Sequence, residues 1–211
     1  MQDAEPQQTQ NSAAKAAELT ATTDEQLVAI TLGGNRQAFD TLIQRYQRQA
    51  MAVSYRLLGN TQDAMEVTQD AFLKAFSSLP TLQTPAAFGG WLMRIVSNLS
   101  LNYRRSRKTR TQLPLADALG AATQDDATPG SEWMSRDADP LHRAESVELG
   151  AQLSKALMQL PEKQRTAIIL FTIEQLPQKE VAELLHCSVE AVKWHVFQGR
   201  KRLKDLLKDY L

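Results

Sequence analysis

Residues Asp63–Ala75 read DAMEVTQDAFLKA, and residues Phe88–Arg105 read FGGWLMRIVSNLSLNYRR. Between them, Leu79–Ala87 holds Pro80, Thr84 and Pro85, which interrupt a helix rather than extend it. The spacing predicts two helices joined by a tight loop. On the first, Asp63, Glu66 and Asp70 stand at i, i+3 and i+7 and share one face, while Ala64, Val67, Ala71 and Ala75 form an apolar stripe around the helix from them. On the second, Trp91, Leu92, Ile95, Val96 and Leu99 recur at helical spacing and are expected to be buried. From Arg94 to Arg110 there are six basic residues and no acidic one. An acidic face on one element, and a basic one with Asn98, Asn102 and Tyr103 on the next, describe a scaffold that holds a protein on one side and a nucleic acid on the other.

Upstream, residues 1–23 are rich in Gln, Ala and Thr without periodic hydrophobics and read as a disordered arm. Thr23 is the expected N-cap of a helix over Asp24–Leu32 that Gly33 and Gly34 end. Phe39, Leu42, Ile43, Tyr46, Ala50, Val53 and Leu57 then trace a long amphipathic helix, stopped at Gly59-Asn60. No stretch reads as a strand. The expectation is an all-α chain, with a helical bundle over residues 24–106.

The formal net charge is zero, with 24 basic and 24 acidic residues, but it is unevenly placed. Thr111–Leu149 carries eight acidic and two basic residues, and Ser188–Leu211 carries six basic and three acidic. Basic surfaces separated by an acidic connector fit a nucleic-acid binder better than the balance implies. Residues 107–143, rich in Pro, Gly, Asp and Thr, read as a flexible linker, in which Trp133 and Met134 are out of place for a solvated tether. No apolar run approaches the roughly 20 residues that cross a bilayer, and the N-terminus is not a secretory signal. With Cys187 alone, an internal disulfide cannot form, which suits a cytoplasmic location.

From about Ala144 the helical signal returns in Leu149, Leu153, Leu157 and Leu160, then in Ala167, Ile168, Leu170 and Phe171. Gln178–Leu185, with Val181, Leu184 and Leu185 inward, a turn at His186-Cys187 and a second helix capped by Ser188 make a helix-turn-helix over the last part of a 144–211 domain. Around that second helix, Val192, Val196, Gly199, Leu203, Leu206 and Leu207 face inward, while Glu190, Trp194, Phe197, Gln198 and Lys201 face away. Bulky aromatics opposite a core, next to Lys193 and Lys201, suit a DNA groove. Glu190, Lys193, Trp194 and Gln198 are the expected base readers, and His195, Arg200, Lys201 and Arg202 the expected phosphate contacts.

Taken together, DAMEVTQDAFLKAF, FGGWLMRIVSN with its basic tail, and the LPEKQR entry at Leu160–Arg165 before the helix-turn-helix resemble regions two and four of bacterial extracytoplasmic-function sigma factors, the promoter-recognition subunits of RNA polymerase. The resemblance departs from a frequent Gly-Thr at Glu190-Ala191. It implies core polymerase, with its β′ and β subunits, as a partner, and docking through Asp63, Glu66, Gln69 and Asp70 on the coiled coil of β′. It implies capture of the minus-ten element by the Leu79–Ala87 loop and by Trp91, Arg94, Asn98, Asn102, Tyr103, Arg104 and Arg105. Reading of the minus-thirty-five element would fall to the helix-turn-helix, through Ser188, Glu190, Lys193, Trp194, His195, Phe197, Gln198, Arg200 and Lys201. Promoter DNA, core polymerase and an anti-sigma factor are the implied partners. A LuxR-type helix-turn-helix regulator is the rival reading.

His142, His186 and His195 are scattered, without a carboxylate or cysteine at metal-ligand spacing. Phosphate-loop and dinucleotide motifs are absent, and the Asp125-Asp126 pair sits in the linker. An enzyme, a metal and a cofactor are not expected.

Overall fold

The computed structural model describes residues 21–112 and 140–210. The expectations for most of the N-terminal arm and for 113–139 of the linker, with Trp133 and Met134, lie outside the described residues, whereas the linker's two ends, 107–112 and 140–143, are helical. Among the described residues there is no strand, and the chain is all-α. Among the described residues the N-terminal half is built from α1 (Asp24–Leu32), α2 (Arg36–Leu58), α3 (Thr61–Ser78) and α4 (Phe88–Gln112). The C-terminal half has α5 (Pro140–Gln159), α6 (Glu162–Ile168), α7 (Gln178–Leu185) and α8 (Val189–Leu206). α5 starts ahead of the expected Ala144, and α4 runs beyond Arg105.

The helix ends follow local chemistry. The Thr23 hydroxyl accepts from Gln26 N (3.3 Å) while Gln26 Oε1 accepts from Thr23 N (3.1 Å), a closed capping box on α1. Asn35 caps α2 by accepting from Gln37 N, and Asn60 caps α3 by accepting from Asp63 N. Between those two helices the chain reverses at Gly59, whose φ of 76° lies in the left-handed region that a side chain resists. The breaker segment becomes two short 3₁₀ turns, Leu79–Thr81 and Pro85–Ala87, with a proline near the start of each.

α2, α3 and α4 cross closely because their contact faces are small. Ala50 and Ser54 of α2, Ala64, Thr68, Ala71 and Ala75 of α3, and Ser97 and Ser100 of α4 are all buried. Their hydroxyls stay satisfied: Ser97 donates to Met93 O (2.7 Å) and Ser100 to Val96 O (2.8 Å) within α4, and Thr68 donates across to Ser54 Oγ of α2 (3.2 Å). Of the expected apolar set on α4, Leu92 and Val96 are buried, whereas Trp91, Ile95 and Leu99 are half-buried against the core.

In the C-terminal half, α6 gives way at Ile169–Ile173 to one turn of π-helix, and Gln175 follows with φ 55°. Val181 of α7 and Val192, Val196 and Gly199 of α8 face the core as expected. Two expected inward residues do not. Leu149 is 49% exposed, because α5 is buried through its later residues Ala156 and Leu157, and Leu206 is 38% exposed, because α8 extends past the much shorter α6. A Cβ built on Gly199 would stand 2.4 Å from Ile168 Cδ1, so a side chain there would have to displace the end of the buried Ile168 side chain.

Gly199→Ala should lower thermal stability, since overpacking a filled site (about 1–3 kcal/mol) outweighs the better helix propensity of alanine (about 1 kcal/mol). Gly150→Ala, where an added Cβ meets nothing within 4 Å, should raise stability by up to about 1 kcal/mol. Equal melting shifts for the two variants in a calorimeter would contradict the close α6–α8 approach.

Candidate nucleic-acid interface

α8 presents the clearest outward surface. Its inner face is fixed by Val192, Val196 and Gly199, and its start by Ser188, whose hydroxyl accepts from Ala191 N (3.1 Å). That leaves Glu190, Lys193, Trp194, Phe197, Arg200 and Lys201 exposed, with Trp194 at 53% and Phe197 at 65%. Gln198 is half-buried, and Arg200 donates to Thr172 Oγ1 (3.2 Å). His195 sits edge-on to Trp194 with its Nδ1 buried. Burial, with Lys163 nearby, lowers its pKa, so it meets neutral pH as uncharged imidazole. A phosphate would find no charge on it.

On α4, Asn98 and Asn102 are exposed, but its arginines are engaged. Arg94 pairs with Glu180 of α7. Arg104 donates to Leu57 O (2.9 Å), Glu162 Oε1 (2.9 Å) and Thr166 Oγ1 (3.3 Å), and Arg105 donates to Leu184 O (3.2 Å) with His186 Nε2 at 3.4 Å. Desolvation lowers the Arg104 pKa, and Glu162 counters it. Trp91 packs on Phe88 (5.9 Å between ring centres) and contributes to the core more than to the surface. Tyr103 donates to Asp63 Oδ1 (2.9 Å) and lies 3.4 Å from Glu66. Burial first, and then that hydrogen bond, push its phenol up to about 12.

Those contacts divide the expected acidic face. Asp63 is tied to Tyr103 and Arg107 of α4, while Glu66, Gln69 and Asp70 are exposed on α3. Next to them is a feature that the sequence reading missed, an apolar groove of about 680 Å³ between α2 and α3. Phe39, Ile43 and Phe72 line it, with Met65 (60% exposed), Leu73 (64%) and Phe76 (40%) at its edge and Gln69 among them. Met65, Leu73 and Phe76 lie on one side of α3 beside the buried Phe72, so α3 carries apolar residues that its own core leaves exposed.

The family model "Sigma-70 region 2" matches residues 42–110, and "Sigma-70, region 4" matches residues 150–203. The ECF RNA polymerase sigma factor SigW of Bacillus subtilis is 31% identical over 176 residues, covering 83% of this chain and 92% of its own. The RNA polymerase sigma-H factor of Pseudomonas aeruginosa is 31% identical over 195 residues, covering 92% and 98%. The chain belongs to the extracytoplasmic-function sigma factors. Among solved structures, this sigma factor resembles CnrH in complex with the cytosolic domain of CnrY (TM-score 0.53, 27% identity, 89% of this chain and 99% of that one). It shares the fold of the Bartonella quintana sigma factor RpoE solved with the anti-sigma factor NepR (TM-score 0.59, 24% identity, covering 81% and 96%). A match that spans both helical halves displaces the LuxR-type reading. Among the described residues no group of three His, Cys, Asp or Glu side chains could hold a metal, and no helix is long and apolar enough to cross a membrane.

The two matched halves of the sigma factor meet at Glu174. Its side chain is only 2% exposed, accepts from Gln49 Nε2 (2.9 Å) and lies 3.5 Å from Arg56, both on α2. Burial raises its pKa, and the amide and the arginine oppose that only in part. For a carboxyl raised in the folded state, the stabilising contribution belongs to the protonated form. It is present below the ordinary carboxylate pKa and lost as pH rises through the raised value. Glu174→Gln, which imitates the protonated acid, should therefore match the wild type in stability at acid pH and exceed it increasingly towards neutrality. Urea titrations across that range check this, and a constant difference at every pH would contradict the buried carboxyl.

Proposed function

We propose that this sigma factor docks on core RNA polymerase through α3, captures the minus-ten element with α4 and the Leu79–Ala87 loop, and reads the minus-thirty-five element as duplex with α8. The single observation that carries the reading is the exposure of Trp194 and Phe197 opposite a buried face, with Lys193, Arg200 and Lys201 exposed on the same helix. An aromatic opposite the core has no packing reason to be there. A groove edge supplies one, and the neighbouring cations supply phosphate contacts.

The docking surface is Glu66, Gln69 and Asp70 together with the apolar groove at Met65, Leu73 and Phe76. A patch with apolar residues in its floor and carboxylates at its rim suits a basic, amphipathic helical partner. On α4, Asn98 and Asn102 supply amides that can both donate to and accept from an unpaired base. The division of labour runs by segment, with residues 24–106 for polymerase and minus-ten contacts, 144–211 for the minus-thirty-five element, and 107–143 joining them. The protein works in the cytoplasm, with neither a catalytic centre nor a cofactor of its own. The likeness to CnrH, solved with the cytosolic domain of CnrY, supports a second protein partner, which we take to be an anti-sigma factor.

With the chain assembled on core polymerase, Trp194→Ala should weaken binding to a cognate promoter by about 1–3 kcal/mol and leave binding to unrelated duplex nearly unchanged. Lys201→Ala should weaken both alike and reduce the salt slope by about one unit. Fluorescence anisotropy over a salt series distinguishes them. A sequence-selective defect in Lys201→Ala, with none in Trp194→Ala, would reverse the assignment.

A further inference from the structure

We propose that Tyr46 is a positioning residue for minus-ten selection: its ring, held by Asp24, is the seat against which Gly89 rests, and this seat fixes the Leu79–Ala87 turns relative to α4. The inference rests on the proposed function in one respect, that these turns and α4 meet the minus-ten strand. The seat itself is read from the packing of α1, α2 and α4.

Tyr46 lies near the middle of α2. Its hydroxyl donates to one carboxylate oxygen of Asp24, in the first turn of α1, and the other oxygen accepts from Arg45. The Thr23 capping box fixes the turn that carries this acid, and Arg45 donates again to Thr22 O (2.9 Å) just ahead of it. Burial first, and then the bond to Asp24, push the Tyr46 phenol up to about 12, so it remains a donor at neutral pH.

The held ring meets the start of α4. It packs tilted on Phe88 (5.6 Å between ring centres), and a Cβ built on Gly89 would lie 2.8 Å from its Cε1, 2.8 Å from its hydroxyl oxygen and 2.9 Å from its Cζ. Only a residue without a side chain fits while the ring stays where Asp24 holds it. At Gly90, the next residue, an added Cβ would meet nothing within 4 Å. The need for glycine therefore belongs to the contact with Tyr46 rather than to the helix start as such.

The turns are anchored at the same junction. α1 packs against both of them, and Phe88 follows directly on the second, donating its N–H to Pro85 O. Leu79 is buried and Leu82 half-buried against the core, while Gln83 and Thr84, between the turns, are exposed. Asp24, Tyr46 and Gly89 thus join α1, α2 and α4 where the exposed turns enter α4. A displaced ring would move the turns against the helix that carries Asn98. Capture of an unpaired base depends on that placement, because new contacts must offset the cost of unstacking it.

The test uses the full chain, alone and on core polymerase. In the free chain, hydrogen exchange of the Leu82, Ala87 and Phe88 amides, which close the two turns, reports how well the turns are held. On core polymerase, anisotropy compares single strands carrying a minus-ten sequence that the wild type opens with single-base variants of it. Stacking of one base is worth roughly 5- to 150-fold in binding, and the wild type should discriminate within that range. Gly89→Ala should speed the exchange and reduce the discrimination by about fivefold or more, whereas Gly90→Ala should change neither. A merely structural role would weaken binding to every strand alike and leave the ratio unmoved. Tyr46→Phe, which keeps the ring and removes its hold on Asp24, should lose part of the discrimination. Adding Gly89→Ala to it should cost less than in the wild type, because the released, half-buried ring can yield towards solvent. Should Gly89→Ala fold poorly, Tyr46→Phe carries the test by the same two readouts. Gln83→Ala combined with Thr84→Ala calibrates the minus-ten reading itself. Equal effects of Gly89→Ala and Gly90→Ala, unchanged exchange in Gly89→Ala, additive effects of Gly89→Ala and Tyr46→Phe, or a ratio left unmoved while the Gln83 and Thr84 variant alters it, would each overturn the proposal. A ratio unmoved in that variant as well would count against the minus-ten reading first, and would remove the positioning role with it.

Discussion

Close approach of α2, α3 and α4 through buried Ala, Ser and Thr is the contact on which both candidate surfaces of the N-terminal half depend. Small residues let these helices cross tightly, so each needs only a narrow stripe for the core. What remains of α3 then carries exposed apolar residues and an acidic edge, and what remains of α4 carries arginines and amides. Larger core side chains would have forced the helices apart and opened the Leu79–Ala87 turns, which sit directly between α3 and α4. The same logic recurs at Gly199, where loss of a side chain lets α8 lie on α6 and turns Trp194 and Phe197 outward.

Charge then decides how the halves relate. Arg94, Arg104 and Arg105 of α4 each have a partner in the C-terminal half, respectively Glu180, Glu162 and the Leu184 carbonyl. Tyr103 with Asp63 is different, because that hydrogen bond lies within the N-terminal half and steadies α3 against α4. The acidic residues of α3 accordingly divide into an inward pair-former, Asp63, and outward ones, Glu66 and Asp70.

Much of this was legible in the sequence because it is local. Thr23, Gly33, Gly59, Asn60 and Ser188 announce helix ends through side-chain capping or backbone freedom, and the structure places the boundaries there. Periodicity located Val192, Val196 and Gly199 inward and the two aromatics outward. It failed at Leu149 and Leu206, because a helix face is buried only as far as its neighbour extends. The groove at Met65, Leu73 and Phe76 was written in the spacing, but one apolar stripe had already satisfied the reading. The contacts between the halves were not legible at all. Arg94 and Glu180 are 86 positions apart, and Arg104 and Glu162 are 58 apart, so only the assembled fold brings them together.

The central claim is that this chain confers promoter choice on RNA polymerase through two separate elements. The most direct measurement is run-off transcription with core polymerase and the purified protein on a library of upstream regions, with permanganate probing of unpaired thymines. The account predicts transcripts only with the protein present, from templates sharing an upstream duplex element and a downstream element whose thymines become reactive. Transcripts that share no upstream element, or none dependent on the protein, would contradict it.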